Sequence, residues 1–79
     1  MYLCISGFLI DSAEDDSLKF ELDLDTTFND QIMKILGHTS LNEMARGEWL
    51  LTNEQAQKIA LLIKQELPSD LKLFMGVEA

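Results

Sequence analysis

Residues 17–25, "SLKFELDLD", alternate without a break: Leu18, Phe20, Leu22 and Leu24 take one parity, Lys19, Glu21, Asp23 and Asp25 the other. Successive side chains of a strand point to opposite faces, so a period of two predicts a strand with one face on a core and one in water. A half-buried strand needs neighbours to pair with and an apolar layer to cover it. Residues 2–10, aromatic, β-branched and aliphatic, end at the turn-forming, charged "DSAEDD" and supply the first neighbour. Both parities are apolar there, Leu3, Ile5 and Leu9 against Tyr2, Cys4, Phe8 and Ile10, which predicts an inner strand with Gly7 at a bulge or a close backbone approach. The two runs are expected to form a hairpin through a loop of about five or six residues.

Helical spacing follows. In "TTFNDQIMKILGH", Thr26 or Thr27 is placed to cap, Asp30 falls in the first turn, Phe28, Ile32, Ile35 and Leu36 share a face, and Gly37 supplies a left-handed stop. "SLNEMARG" repeats this in miniature, with Ser40 and Glu43 at capping-box spacing and Gly47 at the end. "EWLL" is either a brief strand or an extended link. Thr52 and Gln55 form another capping box, opening a helix whose stripe is Ala56, Ile59, Ala60, Ile63 and Leu67 and which Pro68 closes. "DLKLFMGV" reads as a last strand, with Leu71, Leu73 and Met75 alternating with Lys72 and Phe74. With "EWLL" counted as a strand the order is ββααβαβ. The predicted class is α+β: an antiparallel sheet built on an N-terminal β-hairpin, two to three helices packed on one face, and a C-terminal strand.

Seventy-nine residues, 47% of them hydrophobic and 25% charged, predict one folded domain over 1–79. A single cysteine, Cys4, forms no internal disulfide and points to a reducing compartment. The apolar start "MYLCISGFLI" lacks a basic leader and is too short for a membrane span, so a cytoplasmic, soluble protein is expected. The net charge of −8 is uneven: residues 1–30 hold eight acids against Lys19, whereas residues 31–79 hold six acids against five bases. Such a field opposes binding to nucleic acid or to an anionic membrane and favours a cationic partner.

No arrangement of residues announces catalysis, and the expectation is a non-enzymatic protein without cofactor or metal. His38 follows Gly37 at a helix end, where capping of free carbonyls is the expected role. Cys4 lies in an apolar strand without a basic neighbour in sequence, as a buried inert thiol does. The scattered glycines at 7, 37, 47 and 76 form no phosphate loop. "DSAEDDSLKFEL" places Asp16 where a calcium loop requires glycine and Leu22 where it requires glutamate. Asp11, Glu14, Asp15, Asp16, Glu21, Asp23 and Asp25 remain as candidate partner-binding residues. Glu21, Asp23 and Asp25 are expected on one strand face about 6.5 to 7 Å apart. The crowding has two readings: a solvated sheet face, or anions kept together for a positive partner. Trp49 is either a ring that closes the core or, where exposed, an interface anchor.

In its size, its acid-rich hairpin, its helical body and its lack of a catalytic set, the chain resembles the small acidic immunity proteins with which bacteria neutralise nuclease toxins, including those of contact-dependent inhibition. The resemblance implies an inhibitor or antitoxin that covers the active site or substrate groove of a basic toxin domain. The alternative is a homo-oligomeric accessory or regulatory protein whose acidic face serves only solubility.

Overall fold

The central strand of the sheet is the one whose two faces are both apolar. β1 (Tyr2–Leu9) pairs antiparallel with β2 (Phe20–Asp23) on one side and with β4 (Leu71–Glu78) on the other, and β4 carries the two-residue β3 (Trp49–Leu50). The order is β2-β1-β4-β3, antiparallel throughout. The computed structural model describes residues 1–10 and 17–78. Between β2 and β3 lie a 3-10 turn (Thr26–Phe28), α1 (Asn29–Leu36) and α2 (Leu41–Met44); α3 (Asn53–Ile63) joins β3 to β4. The fold is thus α+β, with a four-stranded sheet, three helices and a C-terminal strand, as the patterning predicts.

All three helices pack on the face that shows Leu3, Ile5, Leu73 and Met75. These close a core with Leu24, Ile32, Met44, Leu51 and Ile59. Each such side chain, fully withdrawn from water, contributes about 1.5–3 kcal/mol. Gly7 lies on this face where strands and side chains crowd: a Cβ there would stand 2.9 Å from Phe20 Cβ, with the tips of Leu71 and Leu73 at 3.1 and 3.2 Å. The residue is therefore the close approach expected. Lys19 N–H donates to Gly7 O at 2.8 Å although Phe20 is the paired residue, so two residues face one, as in a β-bulge.

β2 is shorter than the alternation predicts. Asp25 leaves the row and caps the 3-10 turn, its carboxylate accepting from Thr27 N–H at 2.9 Å, so the cap is Asp25 rather than Thr26 or Thr27. Leu18, expected on the core face, lies before β2 begins and is 46% exposed, and Leu9 and Ile10, where β1 ends, are exposed as well. α1 stops at Gly37 with φ 79°, and His38 N–H closes back to Met33 O at 2.9 Å.

In α2, Ser40 accepts from Glu43 N–H. That helix ends at Met44, before Gly47, which is not in the left-handed region. The box at the start of α3 has both halves, Gln55 N–H to Thr52 Oγ1 and Thr52 N–H to Gln55 Oε1. The predicted stripe carries α3 to Leu67, but the helix ends at Ile63, with Lys64 in the left-handed region at φ 57°. Pro68 disfavours the helical conformation at Leu67, and the chain must reverse early to begin β4 at Leu71. Among the described residues, no helix is long and apolar enough to cross a membrane.

Candidate functional site

With the helices on one face, the other face of the sheet is left open among the described residues. The pairing lays it out in rows: Asp23 beside Cys4 beside Gly76, Glu21 beside Ser6 beside Phe74 beside Leu50, Phe8 beside Lys72, and Tyr2 beside Glu78. Phe8 and Phe74 meet edge to face with centroids 5.8 Å apart, and Leu50 is 58% exposed next to them. Gly76 leaves space that the Glu48 side chain occupies, its Cγ 3.7 Å from where a Cβ would be. The face therefore has an aromatic and aliphatic middle, with Glu21 and Asp23 on one flank and Glu48 and Glu78 towards the other end.

The acids converge more than strand spacing alone predicts. A carboxylate oxygen of Glu21, one of Asp23 and the sulfur of Cys4 all lie within 4.8 Å of one another. Cys4 is buried, although it lies outside the main core and on the open face. Burial first, then a hydrogen bond to Asp23 and the charges of Asp23, Glu21 and Glu78, push its thiol up to about 11. A neutral thiol is a poor nucleophile. Two carboxylates beside it fall short of the six to eight oxygens calcium takes, and with the thiol they make three donors, one fewer than a closed structural zinc shell. The same acids act on Tyr2, whose hydroxyl is raised by Asp23 foremost, then by burial and Glu78. What this face offers chemically is anionic potential around an apolar centre.

The residues singled out in the sequence separate in three dimensions. Glu21 and Asp23 stand together on the open face. Asp25 does not join them: it is engaged at the 3-10 turn, where hydrogen bonds from Thr27 hold its carboxyl below the usual range. Asp11, Glu14, Asp15 and Asp16 lie outside the described residues. Trp49 sits on the opposite side of the sheet, paired with buried Met75 and half-buried, its Nε1–H donating to Met44 O at 2.9 Å. Its environment is that of a ring closing the core.

His38 packs on that ring at 4.5 Å and meets Glu43 through Nδ1 at 3.1 Å. Its side chain therefore bridges to α2 instead of covering the carbonyls of α1, where its backbone N–H serves. Hydrogen bonds from His38 and Thr39 hold the Glu43 carboxyl below its ordinary value. The hydroxyl in hydrogen-bond contact with the dyad, that of Thr39, donates to the Glu43 carboxylate at 3.0 Å.

Glu48 and Glu78 belong to the open face and are not picked out by sequence reasoning. Extending the parity of Lys72 and Phe74 through β4 reaches Glu78. No sequence signal marks Glu48, whose place depends on the missing side chain at Gly76.

Fold and site together define a small α+β protein that presents an acidic, aromatic-centred sheet face. The chain matches no protein-family model, no curated protein and no solved structure.

Proposed function

We propose that this chain is a non-enzymatic inhibitor of the immunity-protein or antitoxin kind, which takes a basic protein, a nuclease toxin domain above all, on its acidic sheet face. One observation carries the reading: Glu21 and Asp23 converge within 4.8 Å beside exposed apolar side chains, on a face that no helix of the described residues covers. Carboxylates brought this close repel each other, and lysines or arginines that a nuclease uses for phosphate would relieve that repulsion. The potential would steer encounter and exclude wrong partners, while Tyr2, Phe8, Phe74 and Leu50 supply area that can be desolvated at the centre. Asp11, Glu14, Asp15 and Asp16, in the connection between β1 and β2, would add to the same field. Trp49 contributes through the core beneath the sheet and not as an anchor.

The test is association with the basic domain of a toxin encoded next to this chain, measured at several salt concentrations. The pair Glu21→Gln and Asp23→Asn should slow association by about tenfold or more at low salt and flatten its salt dependence, with the melting temperature retained. Unchanged association at low salt would remove the acidic face as the site.

A further inference from the structure

β2 is an edge strand, and the phase of its ladder fixes which backbone groups it shows. Leu24 N–H donates to Leu3 O, so the even residues of β2 turn their N–H and C=O groups toward β1. In an antiparallel ladder the alternate residues turn theirs the other way, and in β2 these are Glu21 and Asp23. No strand lies on that side among the described residues. Edges are commonly guarded by charged side chains, lysine above all, by proline, by bulges or by great shortness, and the bulge of β2 lies at Lys19 and Phe20, before Glu21. β3, on the opposite edge, has two residues; β2 has four and within them neither lysine nor proline.

A second copy of this chain is a poor occupant. An antiparallel pairing of two β2 strands about Leu22 sets Glu21 of each copy opposite Asp23 of the other, like charge directly against like charge. The same geometry welcomes the opposite sign. Residues of an added strand directly opposite Glu21 and Asp23 would share their face, and the residue between them would turn inward beside half-buried Phe20 and Leu22. We propose that the outer edge of β2 receives an extended segment of another protein as a fifth strand, with lysine or arginine opposite Glu21 and Asp23 and an apolar residue between them. The proposal rests on the functional reading above and specifies the shape and spacing of the partner's contact.

The probe is a short synthetic peptide of alternating lysine and valine, compared with one of equal composition whose lysines are clustered at one end. Binding is followed by amide exchange and chemical shift in the isotope-labelled full chain. The alternating peptide should slow exchange of the Glu21 and Asp23 amides by about tenfold, since they pass from solvent into a ladder. N-methylation of the peptide's lysine amides, which face β2 in this register, should abolish the protection. N-methylation of its valine amides, which face away, should leave it in place.

Equal binding of the clustered peptide, unprotected amides, or indifference to which amides are methylated would overturn strand addition. In that case shifts confined to the side chains of Glu21 and Asp23 would show that the face draws cations without pairing, and the functional reading would stand alone. Because the methyl groups sit on the peptide, no outcome depends on a variant of the protein folding.

Discussion

At Gly7 the strand has no room for a side chain. The obstacle nearest to an added Cβ is Phe20 Cβ, at 2.9 Å, which cannot swing aside without moving the β2 backbone. Gly7→Ala should therefore cost about 1–3 kcal/mol, the usual range for overpacking. In a domain of this size each kcal/mol shifts the melting temperature by about 4–8 °C, so a fall of that order or more is expected by circular dichroism. A melting temperature within a degree of the wild type would mean that β1 and β2 separate freely. Glu43 makes a prediction in pH. Its folded carboxyl is held below the ordinary 4.5 by His38 first and Thr39 next. A lowered carboxylate contributes stability that is complete above the unfolded value and is lost as pH falls through the folded one. Between about pH 5 and 3 the urea midpoint of the wild type should thus fall further than that of Glu43→Gln, which has no such charge to protonate. Parallel midpoints would show that the contacts from His38 and Thr39 are no stronger in the folded chain than in the unfolded one. Asp25 titrates in the same direction in both proteins and cancels from the comparison.

α2 and α3 begin where their sequences say they should, at Ser40 and Thr52, because capping is local chemistry. Thr52 and Gln55 are three residues apart and satisfy each other's backbone whatever the rest of the chain does. Thr52→Ala removes the acceptor for Gln55 N–H and should cost about 1 kcal/mol, seen as a drop of about 4–8 °C in melting temperature. A loss no larger than that of an exposed Gln57→Ala control would show the box to be idle. Element ends are less legible, because what stops them is remote. α3 has helical spacing through Leu67, yet the need to reach β4 turns the chain at Lys64. β2 has strand alternation through Asp25, yet the turn into α1 recruits that carboxylate as its cap. The same diversion decides the candidate site: of the three acids that alternation lines up, two remain on the open face. Trp49 went to the other face for a related reason. A strand of two residues has no parity of its own, and only its pairing with Met75 sets which way the ring points.

At the scale of the whole molecule, sheet order turns a local pattern into a surface. That β1 is central follows from its two apolar faces, and that one face of the sheet stays open among the described residues follows from their helices lying against the other. Once β2 is placed at an edge, its charges also decide whether this protein pairs with itself. Glu21 against Asp23 of a second copy is repulsive in both halves of a two-fold pairing, a penalty counted twice by symmetry. Replacing one member reverses the sign of both contacts together. Asp23→Lys sets Glu21 of each copy opposite the introduced lysine of the other, keeps Leu22 facing its own image, and leaves the backbone groups of the edge where they are. Asp23→Lys should therefore dimerise at concentrations where the wild type shows no pairing through β2. The double variant Glu21→Lys with Asp23→Lys, again like against like, should not. Analytical ultracentrifugation at low salt distinguishes the three, and added salt should return the single variant toward monomer by screening the pairs that hold it. If Asp23→Lys and the double variant sediment alike, charge does not govern this edge, and repulsion between copies cannot be what keeps β2 available for a cationic strand.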